Sequence, residues 1–113
     1  MKLLRALRQG MRELYEYDLY FPMTSERANS ELARVKRLLT EFFGGLTDFR
    51  HRSDGAWQMG GVTFHDEIVL LRILGDDRTR ARELLQRIAR ELAASLKQEE
   101  ILIVERQVTA FGV

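Results

Sequence analysis

Hydrophobic and polar residues alternate along one early segment of the chain, residues 13–21 (ELYEYDLYF). The odd positions from 15 onward are Tyr, Tyr, Leu and Phe, whereas Glu16 and Asp18 occupy even positions between them. A period of two is typical of a strand with one buried face and one more polar face. Pro22 cannot donate a ladder hydrogen bond, so the strand is predicted to end there.

Two later segments repeat apolar residues every three or four positions, which predicts two amphipathic helices. The first begins after an N-cap at Thr24 or Ser25 and ends at Gly44-Gly45. The second begins after Asp76 or Asp77. The predicted buried stripes are Ala28, Leu32, Val35, Leu39 and Phe42 in the first helix, and Ala81, Leu84, Leu85, Ile88, Leu92 and Leu96 in the second.

The remaining patterned segments predict further strands. Residues 46–49 and 56–59 read as short extended segments, and Gly60-Gly61 reads as a hairpin turn. Residues 62–74 (VTFHDEIVLLRIL) predict one continuous strand, placed centrally because it is apolar on both faces beyond Glu67. Residues 100–108 predict the last strand.

This order of elements predicts an α+β fold, a ferredoxin-like split βαβ sandwich. Its antiparallel sheet carries both helices on one face, and the first and third strands form the central pair. The predicted domain division is a basic N-terminal arm or short helix at residues 1–12, followed by a single α+β domain at residues 13–113. The helix-covered face is predicted to hold Tyr15, Tyr17, Leu19, Phe21, Val69, Leu71 and Ile73.

The opposite, open face of this sheet is predicted to mix apolar and charged side chains. That mixture is too apolar to be stable in water alone, so we expect a second subunit or a ligand to cover it. The predicted open-face residues are Glu16, Asp18, Tyr20, Phe64, Asp66, Ile68, Leu70 and Arg72.

Charge and cysteine content exclude several classes of protein. The 113 residues include 18 Lys plus Arg and 17 Asp plus Glu, which excludes a bulk polybasic or polyacidic binding mode. The absence of Cys excludes a disulfide scaffold, a thiolate zinc site and a cysteine nucleophile. The charges of residues 1–12 interrupt the apolar run that a secretory signal requires, and no segment is apolar enough to span a membrane, which predicts a cytoplasmic location. The arm either covers a sheet edge or binds anionic lipid or nucleic acid.

Candidate chemistry centres on Glu16, Asp18 and Arg72. The two carboxylates lie on one strand face at a spacing of about 7 Å, which is compatible with divided acid and base roles. The alternative is an ion pair, because an antiparallel third strand brings Arg72 close to Glu16 or Asp18. An anionic ligand held by Arg72 is the third interpretation.

Other polar residues give weaker signals. His65 and Glu67 share a strand face and could contribute to a metal or acid–base site, or they could simply be solvated. Trp57 beside Gly60-Gly61 either lines a pocket or closes the end of the core. The arginines of the second helix lie opposite its leucine stripe, so we expect no nucleic-acid partner. We likewise expect no metal site and no cofactor.

Several short motifs, in their order and spacing, resemble a known family. They are Leu19-Tyr20-Phe21, Phe43-Gly44-Gly45-Leu46-Thr47, Gly55-Ala56-Trp57, the acidic Glu67, and Gln98-Glu99-Glu100-Ile101-Leu102. Over about residues 17–108 the chain resembles the bacterial domain-of-unknown-function family 3574. The resemblance implies a compact α+β domain. Many members of that family carry an export signal or a lipid anchor, and this sequence departs from them in having neither a lipobox cysteine nor a signal peptide.

Two functions follow as hypotheses. The first is a homo-oligomeric interaction or ligand-binding module, with the open face as the interface of a homodimer. The second is a small cofactor-independent enzyme whose pocket on the open face uses Glu16, Asp18 and Arg72. The sequence favours the first, because no nucleophile and base can be paired with each other. The ligand-binding candidates are Glu16, Asp18, Arg72, Trp57 and His65.

Overall fold

The described part of the chain is an α+β structure. The computed structural model describes residues 10–23, 25–51, 57–59, 62–64 and 68–113. Across these ranges no helix is long and apolar enough to cross a membrane. In chain order the elements are β1 (Arg12–Pro22), α1 (Glu26–Phe43), β2 (Thr47–His51), β3 (Trp57–Met59), β4 (Val62–Phe64), β5 (Ile68–Gly75), α2 (Arg78–Ser95) and β6 (Ile103–Ala110).

Four of these strands form one antiparallel sheet in the order β2-β5-β1-β6. As predicted, the first strand and the strand that precedes the second helix are neighbours at its centre. The strands β3 and β4 pair only with each other, in a separate two-stranded sheet. This pair lies between β2 and β5 in the chain, so the described strands number six and not the four of a plain ferredoxin-like fold.

The prediction of one continuous strand over residues 62–74 is wrong. Val62–Phe64 forms β4 and pairs with β3, and the central strand β5 begins only at Ile68. The pairing of Met59 with Val62 agrees with a hairpin, whose predicted turn at residues 60–61 lies outside the described residues. Phe64 therefore does not belong to the open face of the four-stranded sheet, and Asp66 lies outside the described residues.

Both helices pack on one face of the sheet and form a single hydrophobic core with it. The predicted alternation is confirmed, because alternate residues of β1 and β5 (Tyr17, Leu19 and Phe21; Val69, Leu71 and Ile73) belong to this core. One helix position was predicted wrongly: Phe43 is 7% exposed and Phe42 is 40% exposed. The ring of Phe43 lies beside Gly75, where an added Cβ would come within 3.0 Å of it.

The helix ends agree closely with the predicted caps. Ser25 occupies the N-cap of α1 without a side-chain cap hydrogen bond, and Gly44 ends the helix with a φ of 80°, in the left-handed region that favours glycine. The carboxylate of Asp77 accepts a hydrogen bond from the backbone N–H of Arg80 and so caps α2. The last strand begins later than predicted, at Ile103.

Candidate functional site

The open face of the sheet carries a charged cluster because β1 has a neighbour on each side. In the β1–β5 register Asp18 lies directly opposite Arg72, and in the β1–β6 register Glu16 lies directly opposite Arg106. Directly opposed side chains in antiparallel strands point to the same face, and diagonal neighbours are within reach of long side chains. Residues from three strands therefore meet at one point. We call Glu16, Asp18, Arg72 and Arg106 the Asp18 cluster.

Asp18 is the centre of this cluster and accepts hydrogen bonds from both arginines. Arg72 donates through Nε to Oδ1 at 2.8 Å and through Nη2 to Oδ2 at 3.1 Å. Arg106 donates through Nη1 to Oδ2 at 2.9 Å, and its Nη2 also donates to Oδ2. The predicted ion pair between Arg72 and an acid of the first strand is thus confirmed by the structure.

Glu16 interacts more loosely with the same two arginines. Its Oε1 lies 3.5 Å from Nε of Arg72 and 3.4 Å from Nη1 of Arg106, which are ion-pair distances without an accompanying hydrogen bond. The cluster therefore contains two positive and two negative side chains, and its formal charge is zero. Glu16 balances the charge while its oxygens retain acceptor capacity.

Burial differs sharply between the members of the cluster. The Asp18 side chain is 1% exposed, that of Glu16 is 19% exposed, and those of Arg72 and Arg106 are 36% and 37% exposed. A buried carboxylate is stable only when it is paired and hydrogen-bonded, which the two guanidiniums provide. The hydrogen bond to Asp18 raises the pKa of Arg72 above its ordinary value, so this guanidinium keeps its charge.

This geometry limits what the carboxylates can do chemically. A carboxylate has about four lone-pair sites, and Asp18 already accepts four hydrogen bonds from the two arginines. A general base needs a free acceptor within reach of the proton that it removes. Oδ2 accepts three of these hydrogen bonds and Oδ1 one, and the side chain is 1% exposed, so the arrangement is that of a structural or recognition cluster in which a substrate has little access to Asp18.

Apolar side chains surround the Asp18 cluster on the same face. The ring of Phe49 lies under the guanidinium of Arg72, with 5.0 Å between Cζ and the ring centroid, a cation–π contact. In the sheet register the other apolar residues of this face are near neighbours of the charges. Tyr20, Phe49, Leu70, Leu74, Val104 and Val108 are half-buried, whereas Leu14 and Ile68 on the same face are buried, at 0% and 8% exposed.

A second polar group lies on the opposite, helix-covered face. Arg82 of α2 donates through Nε and Nη2 to the two carboxylate oxygens of Glu105, at 2.8 and 2.5 Å. This hydrogen-bonded pair lowers the pKa of Glu105. Tyr17 lies beside Glu105 and is 1% exposed. Burial first, and then the negative charge of Glu105, raise the pKa of Tyr17 to about 12.

The predicted site residues have different outcomes. Glu16, Asp18 and Arg72 are brought together as expected. Trp57 lies in β3, but its side chain is not among those described, and His65 lies outside the described residues. Arg106 was missed, although the alternation of Val104, Arg106 and Val108 places an arginine on one face of the last strand.

Two shallow cavities are lined by other parts of the chain. One, of about 500 Å³, lies between the end of α1 and the start of α2, and the other, of about 530 Å³, lies between α2 and residues 99–103. Neither is lined by a member of the Asp18 cluster. Within the described ranges no three His, Asp or Glu side chains are grouped so that they could hold a metal ion.

Comparison with known proteins gives no independent assignment of this site. No family model matches the chain, and no match was found among curated proteins or among solved structures.

Proposed function

We propose that this protein is a homo-oligomeric interaction module whose open sheet face forms the interface of a homodimer. One observation carries this proposal: a charge-neutral cluster centred on the buried Asp18 is framed by half-buried apolar side chains, on the face away from both helices. Aromatic residues and arginine are enriched at the centre of protein–protein interfaces, and this face offers Tyr20, Phe49 and two arginines whose charges are balanced.

The size of the face is compatible with a specific interface. Four strands spaced about 4.8 Å apart, at about 3.3 Å per residue, present roughly 500 Å² over the length of an eight-residue strand such as β5 or β6. Two such faces together bury roughly 1,000 Å², the lower bound for a specific biological interface. Each Å² of apolar area that a second copy covers contributes about 25 cal/mol towards association, which offsets part of the entropy cost of forming a dimer.

The oligomeric state of the full chain tests this proposal directly. Multi-angle light scattering over a range of micromolar concentrations is expected to give a mass near twice 13.2 kDa. Leu70→Lys and Val104→Lys each place a charge among the apolar side chains of the face and should shift the mass to that of the monomer. The matched control, Asn29→Lys, adds the same charge at an exposed position of α1 and should leave the dimer intact.

Circular dichroism of each variant separates loss of association from loss of folding. The edge-strand variant Val104→Lys is the more tolerant of the two, because an edge position can direct a lysine into solvent. A wild-type chain that stays at 13.2 kDa at every concentration would contradict the homodimer.

The finer classification of the fold is part of the proposal. We infer a ferredoxin-like arrangement with one extra hairpin, supported by the sheet order β2-β5-β1-β6 and by a helix in each of the connections β1–β2 and β5–β6. Membership of the family 3574 likewise remains a proposal, supported by the order and spacing of the short motifs. A crystal structure of the full chain tests the fold and the interface together.

Binding of a small anion at the same face is a second candidate. It is favoured by the donors of the cluster, since among the described residues only two nitrogens of each guanidinium donate hydrogen bonds. It is disfavoured by Glu16, whose charge opposes an incoming anion. If inorganic phosphate or a small dicarboxylate raised the melting temperature of the wild-type monomer but not that of Arg106→Gln, anion binding would replace the homodimer as the function of this face.

A further inference from the structure

We infer that the two-fold axis of the proposed homodimer passes through the Asp18 cluster, so that the arginines of one copy donate hydrogen bonds to Glu16 of the other. This inference rests on the proposed function and names the residues that set the orientation of its interface. It follows from the hydrogen-bond capacity of the cluster, from its charge and from its place on the face.

The hydrogen bonds within one copy leave donors and acceptors in the same place. A guanidinium has five N–H donors, and among the described residues Asp18 is the only side chain that accepts hydrogen bonds from Arg72 and Arg106. Glu16 lies 3.4 Å or more from both and accepts no hydrogen bond from them. Each copy therefore presents spare N–H donors and one carboxylate with spare acceptor capacity.

The charge of the cluster indicates what kind of partner fits it. A partner carrying only negative charge would meet Glu16 and be repelled, whereas one carrying only positive charge would meet the two arginines. The partner must offer a carboxylate and guanidinium donors together. A second copy of this chain carries that combination, and in an isologous interface a contact from an arginine of one copy to Glu16 of the other is made twice.

The apolar surroundings make the cross-subunit pairs selective. Once Phe49, Leu70 and Val104 are covered, water is removed from the cluster, and a misplaced partner would leave guanidinium donors unsatisfied. Desolvated charge pairs at an interface contribute mainly to specificity and register, because their attraction is partly offset by desolvation. The apolar side chains around the cluster then supply most of the affinity, and the Asp18 cluster fixes the orientation of the two copies.

The first test removes the charge of Glu16 without changing its shape. Glu16→Gln should weaken dimerisation by about tenfold or more in sedimentation equilibrium, because the arginine donors of each copy then meet a neutral side chain. The matched control, Glu83→Gln, removes a carboxylate from an exposed position of α2 and should leave the dimerisation constant unchanged. Urea denaturation of both variants at a concentration where they are monomeric checks that each one folds.

The second test locates the two-fold axis by cross-linking single cysteines. The sequence contains no cysteine, so only the introduced residue can react. Val104 is the direct partner of Asp18 across β1 and β6, whereas Ala110 lies at the far end of the same strand, opposite Arg12. A short bismaleimide should therefore link two copies of Val104→Cys efficiently and two copies of Ala110→Cys poorly.

The possible results separate the inference from the proposal beneath it. A wild-type dimer that is weakened by Glu16→Gln and linked through position 104 supports both. A dimer that is unaffected by Glu16→Gln, or linked through position 110 instead, overturns the inference and leaves the homodimer in place. A wild-type chain that is monomeric overturns both. Hydrogen exchange that shows the open face protected in that monomer would indicate that another part of the same chain covers it.

Discussion

At the scale of single residues, Asp18 shows how a buried charge can be retained in a small protein. It is 1% exposed, and it is flanked by an arginine from each neighbouring strand. Burial of an unpaired carboxylate would cost several kcal/mol. The two guanidiniums that pair with Asp18 therefore contribute to the stability of the fold. The three strands that meet at Asp18 are therefore held in register by charge on one face and by the hydrophobic core on the other.

Removal of one guanidinium should expose this dependence. Arg72→Leu leaves Asp18 and Glu16 with Arg106 alone, and we expect the free energy of unfolding to fall by roughly 1–4 kcal/mol near neutral pH. Urea denaturation of the variant and the wild type at pH 7 measures this loss.

A double variant provides the matched control for this experiment. Asp18→Leu with Arg72→Leu removes both partners of the buried pair and leaves Arg106 beside Glu16. The double variant no longer contains the buried Asp18 carboxylate. Its free energy of unfolding should therefore fall by less than that of Arg72→Leu alone. A larger loss in the double variant would show that Arg106 alone satisfies Asp18 and that the buried carboxylate still stabilises the fold after Arg72 is removed.

Tyr17 provides a residue-scale prediction on the opposite face of the sheet. Its pKa in the folded protein is raised from 10.0 to about 12, chiefly by burial. A raised folded-state pKa stabilises the protein below the pKa of the unfolded chain, and this contribution is lost as the pH rises from about 10 towards 12. The wild type should therefore lose up to about 1.4 kcal/mol of unfolding free energy per pH unit in that window.

The variant Tyr17→Phe isolates this contribution, since it keeps the buried ring and removes the titrating hydroxyl. The difference in unfolding free energy between wild type and variant should be constant below pH 9 and should move in favour of the variant between pH 10 and 12. Lysines and the other tyrosines titrate in both proteins, so their effects cancel in the difference. Parallel curves across that window would show that Tyr17 ionises in the folded protein as readily as in the unfolded chain.

At the scale of elements, periodicity predicted β1, α1 and α2 well because each has one face against the core. The period of β1 also placed Glu16 and Asp18 on the open face, and proximity to Arg72 followed from an antiparallel pairing. Periodicity could not decide between Phe42 and Phe43, since both continue a stripe of three- and four-residue spacings. The choice depends on tertiary contacts, namely the place of the Phe43 ring beside Gly75 and Tyr17.

Pairing between strands was the part that local sequence could not supply. Residues 62–74 have one continuous strand-like composition, yet β4 pairs with β3 and β5 with the central strand β1, and only the choice of partner separates them. Arg106 was missed for the same reason. Its side chain reaches Asp18 because of the β1–β6 register, which depends on contacts between residues 88 positions apart in sequence.

At the scale of the whole molecule, the two faces of the sheet differ in how far their side chains are buried. The helix-covered face is closed by α1 and α2 and includes most of the fully buried side chains. The open face has its charges paired, and most of its apolar side chains are half-buried, while Leu14 and Ile68 are buried. In a homodimer the second copy would cover the open face, as α1 and α2 cover the opposite face. Association would then be coupled to the stability of each chain.

This coupling predicts a melting temperature that depends on protein concentration. For a dimer that dissociates as it unfolds, each tenfold rise in concentration stabilises the dimer by about 1.4 kcal/mol, or about 0.7 kcal/mol per chain. For a chain of this size that corresponds to a rise of roughly 3 to 5 °C in the melting temperature. Differential scanning calorimetry over a hundredfold concentration range measures it. Leu70→Lys should be monomeric, so its melting temperature is expected to be the same at every concentration. If the melting temperature of the wild type were equally independent of concentration, folding of this chain would not depend on a second copy.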